Sequence, residues 1–226
     1  MNKPILILRL EGHLQRWGER AKWDFRDTNM IPTKSGIIGL LACAFGYKRG
    51  DTRILDLQKN LKLGIRVDKP GLLMEDFHTV TGDKGYLMAS TGEKRVGSPT
   101  IITPRQYIQD ACFTVALNGE EALIKKCEKY LKDPVWSIYL GAKSCVPSRP
   151  VFESITYEYS NVLEAIMKYK LSDKADKDKQ NFYCEFEDGN DREKYIYHQD
   201  VFQNDPNRYY SFRKVYIEII KRKEIL

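Results

Sequence analysis

Residues 111–140 read ACFTVALNGEEALIKKCEKYLKDPVWSIYL, and their patterning decides the fold. Ala111 to Leu117 is a short apolar run rich in β-formers, the mark of a buried strand. From Gly119 to Lys132 the apolar positions shift to helical spacing, with Leu123, Ile124, Cys127, Tyr130 and Leu131 on one face. Glu121 with Lys125 and Glu128 with Lys132 support the opposite face at i,i+4. Trp136 to Leu140 then offers a returning strand, so the stretch is a β-α-β unit.

A second such unit lies upstream. Pro4 to Leu10 is almost continuously apolar, as expected of a strand buried on both faces. Thr33 and Ser35 precede IIGLLACAF, residues 37–45, a helix with scarcely any polar face, in which Gly39, Ala42 and Gly46 would permit close approach to a sheet. Leu61 to Asp68 alternates, placing Leu61, Leu63, Ile65 and Val67 inward and Lys62, Gly64, Arg66 and Asp68 outward. The order β-α-β, long insertion, β-α-β is the split βαβ, ferredoxin-like α+β plan of RNA-recognition domains. The insertion, about residues 69–110, has extended arms at Leu72–Thr81 and Thr100–Ile108 around a Gly-, Lys- and Ser-rich centre, and predicts a protruding hairpin. This RNA-recognition-like part spans residues 1–152. Residues 153–226 read as a smaller β-rich subdomain with one short helix, whose start is marked by Asn161 and Glu164 in capping-box spacing.

Composition narrows the function. The 226-residue chain carries a formal charge of +6, an excess compatible with nucleic acid without establishing it. Five cysteines (43, 112, 127, 145, 184) form no CxxC pair, which argues against a zinc cluster or a disulfide framework and for a reducing compartment. No apolar stretch approaches the length of a membrane span, and MNKPILILRL lacks a signal-peptide cleavage site, so a cytoplasmic protein that does not engage membranes is expected. The carboxylates show no spacing suited to two-metal catalysis, and neither a metal nor a cofactor is expected.

The richest candidate chemistry lies between Leu14 and Arg49. Gln15, Arg16, Trp17, Arg20, Lys22, Trp23 and Arg26 lead to Thr33, Lys34 and Ser35 at a helix start. Cations neutralise phosphates, Trp stacks on unpaired bases, and free helix N–H groups bind phosphate oxygens. The competing reading is a loop whose Trp residues cap the core while Glu19, Asp24 and Asp27 pair with the cations. TKSG lacks the glycine-rich approach of a nucleotide-binding P-loop. A second basic loop, residues 139–150, holds Lys143, Ser144 and Arg149 with no acidic residue from Gly141 to Pro150; its Cys145 has no identifiable His partner and is expected to be buried. Arg105 adds charge to the insertion. His78, with Lys84 and Tyr86, could in principle form a metal-independent ribonuclease site, although a structural or RNA-contacting His78 is the better reading of a lone histidine.

LRLEGHLQRWG, FRDTNMIPTKSGIIGLLACAFGYKRGD, DFHTVTG, TPRQYIQDACFTVAL and YLGAKSCVPSRPVF, in this order over roughly the first two-thirds of the chain, resemble the type I-E branch of the family-five CRISPR-associated proteins, within the RAMP superfamily. The resemblance implies an RNA-recognition-like palm with a hairpin thumb, binding of the repeat-derived 5′ handle of the crRNA, and capping of the backbone subunits of the Cascade complex. It also implies contact with the large subunit that recognises target DNA. On matching positions it implies palm contacts at Gln15, Trp17, Arg26, Lys34, Ser35, Lys143 and Ser144 and a thumb-base contact at Arg105. His13 and Ala142 depart from the proline and arginine common in relatives, the latter removing one phosphate contact. Family-five proteins of the I-C branch cleave the precursor RNA themselves, whereas the LQRWG and PTKSG pattern is that of the branch that does not. The resemblance therefore implies a non-catalytic binding subunit, with an endoribonuclease processing pre-crRNA as the alternative.

Overall fold

The computed structural model describes residues 2–18, 25–81, 100–189, 192–203 and 210–225. Its frame is an antiparallel sheet containing β1 (Ile5–Glu11), β3 (Lys62–Lys69), β6 (Cys112–Asn118) and β7 (Phe152–Thr156) in the order β7-β1-β6-β3. That is the ferredoxin-like strand order, with α1 (Lys34–Ala44) and α2 (Arg53–Asn60) in the first crossover and α3 (Glu121–Lys132) in the second.

Both faces of this sheet are covered, which is why Ile5–Leu10 has no polar alternation. Leu6, Leu8 and Leu10 pack with Phe113, Val115 and Leu117 in a core that includes residues of α1 and α3. Ile5 and Ile7 point to the other face, against Val162, Ala165 and Ile166 of α4 (Val162–Lys168). Asn161 caps α4 by accepting from the Glu164 N–H at 2.9 Å, while the Glu164 carboxylate accepts from the Ser160 N–H at 2.8 Å, so the return bond lands one residue earlier than in a standard capping box.

Three expectations change here. Arg66 and Asp68 do not face water: with Arg9 and Thr114 they form a fully buried network under α4. Arg66 donates to Asp68 at 2.6 Å and to the carbonyls of Ile166 and Tyr169 at 2.7 Å each, so it serves the open C-terminal end of α4. The fourth palm strand is β7, not Trp136–Leu140, whose residues form no strand. Third, the C-terminal strands build no separate sheet: β8 (Asn181–Phe186) pairs with β3 through Gly64↔Phe186, and β10 (Tyr210–Lys221) and β9 (Tyr195–Phe202) extend it to seven strands.

The insertion is the expected hairpin. β4 (Leu72–Thr81) pairs with β5 (Thr100–Gln109) in unbroken register from Leu72↔Gln109 to Thr81↔Thr100. The two-residue β2 (Leu14–Gln15) adds a third strand to the inner end of β5. Among the described residues no helix is long and apolar enough to cross a membrane.

Candidate nucleic-acid interface

Pairing of Gln15 with Ile108 brings the basic loop to the base of the hairpin thumb, and burial then sorts its residues. Gln15 is fully buried, its amide N–H donating to the Ala111 carbonyl at 2.8 Å and its carbonyl accepting from the Trp17 indole N–H at 3.1 Å. Trp17 is 1% exposed and lies on Gly36, where a Cβ would come within 2.7 Å of the ring. Both residues, expected to touch RNA, are packing residues instead. Each satisfies the other's buried polar atom, and the indole presents no face to a base.

Lys34 is likewise corrected. Thr33 caps α1 by accepting from the Gly36 N–H at 3.2 Å, and the Lys34 N–H donates to Asp200 at 2.7 Å. The Lys34 ammonium is buried on Glu187 at 2.8 Å, and Arg213 bridges Asp200 at 2.6 Å and Glu187 at 3.3 Å. Burial pushes the Lys34 pKa down, against the opposing pull of Glu187. Protein carboxylates thus occupy the place at the helix start where the sequence suggested a phosphate. Arg149 is held by the shielded carboxylate of Glu153 at 2.6 Å, so its charge is already answered.

The remaining cations converge on the thumb base. Arg26 forms a bridge to Arg105: its N–H donates to the Pro104 carbonyl at 3.0 Å and its carbonyl accepts from the Gln106 N–H at 2.8 Å. Arg105 and Tyr107 share one face of β5, and the Arg16 guanidinium sits 5.8 Å from the Tyr107 ring centroid. Two arginines of the loop and one of the insertion therefore meet where thumb meets palm, with Asp76 opposite Arg105 in the ladder and Asp27 next to Arg26 in the chain. The Arg16 N–H also donates to the Leu140 carbonyl at 3.0 Å, drawing the second basic loop alongside. There Gly141 has φ +82°, and a Cβ would overlap the Arg16 carbonyl, so glycine is required twice over. Lys143 and Ser144 follow, both exposed. Cys145 is buried, as expected, and burial pushes its thiol pKa up.

His78 lies on β4, 3.8 Å from the Asp76 carboxylate and opposite Thr103. Lys84 and Tyr86, its suggested catalytic companions, lie outside the described residues, as do Arg20, Lys22 and Trp23.

A groove of about 970 Å³ opens beside this region. Its floor is α1, with Gly39 exposed, Ser35 half-buried and the buried Ile38 beneath; one wall is residues 136–139; Arg49 and Lys143 also line it. Gly39 does not approach a sheet as expected, because a Cβ there would meet nothing within 4 Å. Sequence reading included Arg49 and Tyr139 only as the ends of its two basic segments and took Trp136 for a strand residue. VWSIY, residues 135–139, has strand-like composition, and only the Pro134 that precedes it hinted otherwise.

A ferredoxin-like palm with a basic loop clamped to an inserted hairpin defines an RNA-recognition-type protein of the RAMP kind. The sequence pattern described as CRISPR-associated protein (Cas_Cas5) matches residues 5–219, and the chain belongs to this family. It is 36% identical over 177 residues, 74% of this chain and 78% of the relative, to the CRISPR system Cascade subunit CasD of Escherichia coli (strain K12). Its structure is similar to a chain of a CRISPR RNA-guided surveillance complex, with TM-score 0.77 and 30% identity over 98% of this chain and 92% of the other. A solved Cas protein matches with TM-score 0.70 and 29% identity, over 98% of this chain and 97% of that one.

Proposed function

We propose that the chain is a non-catalytic crRNA-binding subunit of a Cascade-type surveillance complex, holding the repeat-derived 5′ handle and capping the backbone subunits beside the large subunit. The observation that carries this is the convergence of Arg16, Arg26 and Arg105 at the thumb base, with Lys143 and Ser144 exposed on the adjoining loop. A cationic cluster on backbone hydrogen-bonded supports neutralises phosphates and fixes the path of a single strand, and preference for the handle then comes from the path that the support imposes. Family membership and the similarity to CasD support the same reading.

The test is binding of the full chain to RNA carrying the 5′ handle of the host's own repeat, followed against salt. Arg26→Glu, Arg105→Glu and Lys143→Glu should each weaken binding and lower the salt slope by about 1 or more. Gln15→Ala, which removes a buried residue, should lower stability first. Binding no tighter than to an unrelated strand sinks the proposal.

A further inference from the structure

We propose that the groove between α1 and residues 135–139 seats unstacked nucleobases of the RNA strand whose phosphates the thumb-base cations hold. This rests on the RNA-binding reading above and adds to it a site for bases. The groove, about 970 Å³, lies in the range of about 300–1,000 Å³ typical of ligand sites. Gly39 and the half-buried Ile54 give an apolar lining, and Trp136, 43% exposed, stands with Tyr139 as an aromatic wall. Arg49 and Lys143 bring positive charge to its lining, which among the described residues contains no carboxylate. Aromatic surface for stacking with cations for the linking phosphates is the chemistry of a single-stranded polyanion. It suits an apolar peptide less well, since such a peptide gains nothing from the two cations.

The wall is built in advance. The Val135 N–H donates to the Ala44 carbonyl at 2.9 Å, and the Cys43 thiol donates to the Ser137 carbonyl at 3.4 Å. Gly46 has φ +71° and leaves the space that Val135 fills. A preformed wall lowers the ordering cost of binding. Continuity with the proposed phosphate path is direct, because Ser35 and Lys143 line the groove and Lys143 follows the turn pinned by Arg16.

The absent side chain at Gly39 supplies the test. A Cβ there meets no described residue within 4 Å, so the side chain of leucine would start into open groove and, within a helix, would raise intrinsic helix stability. Full-length wild type, Gly39→Leu and Trp136→Ala are titrated with the handle RNA and with the same strand carrying abasic ribose in place of its bases, with melting temperatures as a folding control. The expected result is tighter binding of the base-bearing strand by wild type, with both variants weakened on it by about tenfold or more and unchanged on the abasic strand. Equal binding of both strands by wild type overturns the groove assignment while leaving the phosphate path standing. So does an unaltered Gly39→Leu, including the case where that variant instead sheds a protein partner from the assembled complex. Failure of wild type to bind either strand overturns the RNA-binding reading itself.

Discussion

The backbone N–H of Lys34 donates to the carboxylate of Asp200 across 166 residues of chain, at 2.7 Å. The start of the first helix is thereby capped by a residue of β9, the last strand of the seven-stranded sheet. The same carboxylate carries Arg213 at 2.6 Å, so one buried acid serves a helix dipole and a guanidinium together.

Asp200→Ala should therefore destabilise the whole fold, by about 3 kcal/mol, because it leaves a buried arginine and a helix N–H without their acceptor. Burial raises the Asp200 pKa, but Arg213 and the Lys34 N–H outweigh it and hold the carboxyl below its usual value. A depressed folded pKa gives stability that is present above the ordinary value of about 3.9 and is lost as pH falls through the lower folded one. Denaturant unfolding at neutral and acid pH checks both statements, and a wild-type-like midpoint for Asp200→Ala would refute the capping role.

Gly141→Ala should weaken RNA binding as well as stability. A methyl group at this position meets the Arg16 carbonyl, so relief must displace either Arg16 or the turn leading to Lys143. The expected outcome is a loss of about 1–3 kcal/mol in stability, with a handle affinity that does not recover when the variant is assayed at a temperature where it is folded.

His198 should make stability fall on the alkaline side. Its hydrogen bond to Glu185, 3.0 Å long, raises its pKa despite the opposing effect of burial. A raised folded pKa gives stability fully present below the unfolded value of about 6.5 and lost as pH rises through the folded one. Melting temperatures from about pH 6 to 8 should decline in wild type and flatten in His198→Gln. A parallel decline in the variant would point to another group.

His78→Ala should leave RNA processing unchanged, because the chain is expected not to cleave. Incubation of repeat RNA with the purified chain in EDTA is the measurement. Specific cleavage that disappears in His78→Ala would replace the binding role with an endoribonuclease.

The palm was legible because its signals are local. Ile5–Leu10 and Ala111–Leu117 announce doubly buried strands, and the α3 stripe is periodic. Partner-dependent features were not. Arg66 and Asp68 look outward by alternation, and only the arrival of α4 from a distant part of the sequence encloses them. Lys34 resembles a phosphate ligand until Glu187 and Asp200 reach it, and neither acid is marked in the sequence. Trp17 satisfied the composition of a stacking loop equally well as a packing residue, and Gly36 decided between them by leaving room for the ring. The arginine cluster lay between these extremes: its members could be named one by one, whereas their meeting depends on the Arg26–Arg105 bridge.

That bridge, with the short pairing of β2 to the same strand, splices the basic loop into the root of the hairpin. Grip and reach are consequently separable traits. Residues added in facing pairs to β4 and β5 beyond His78 and Thr103 would lengthen the ladder without disturbing the splice, because the bridge at Arg105 and the pairing at Ile108 both lie on its inner side.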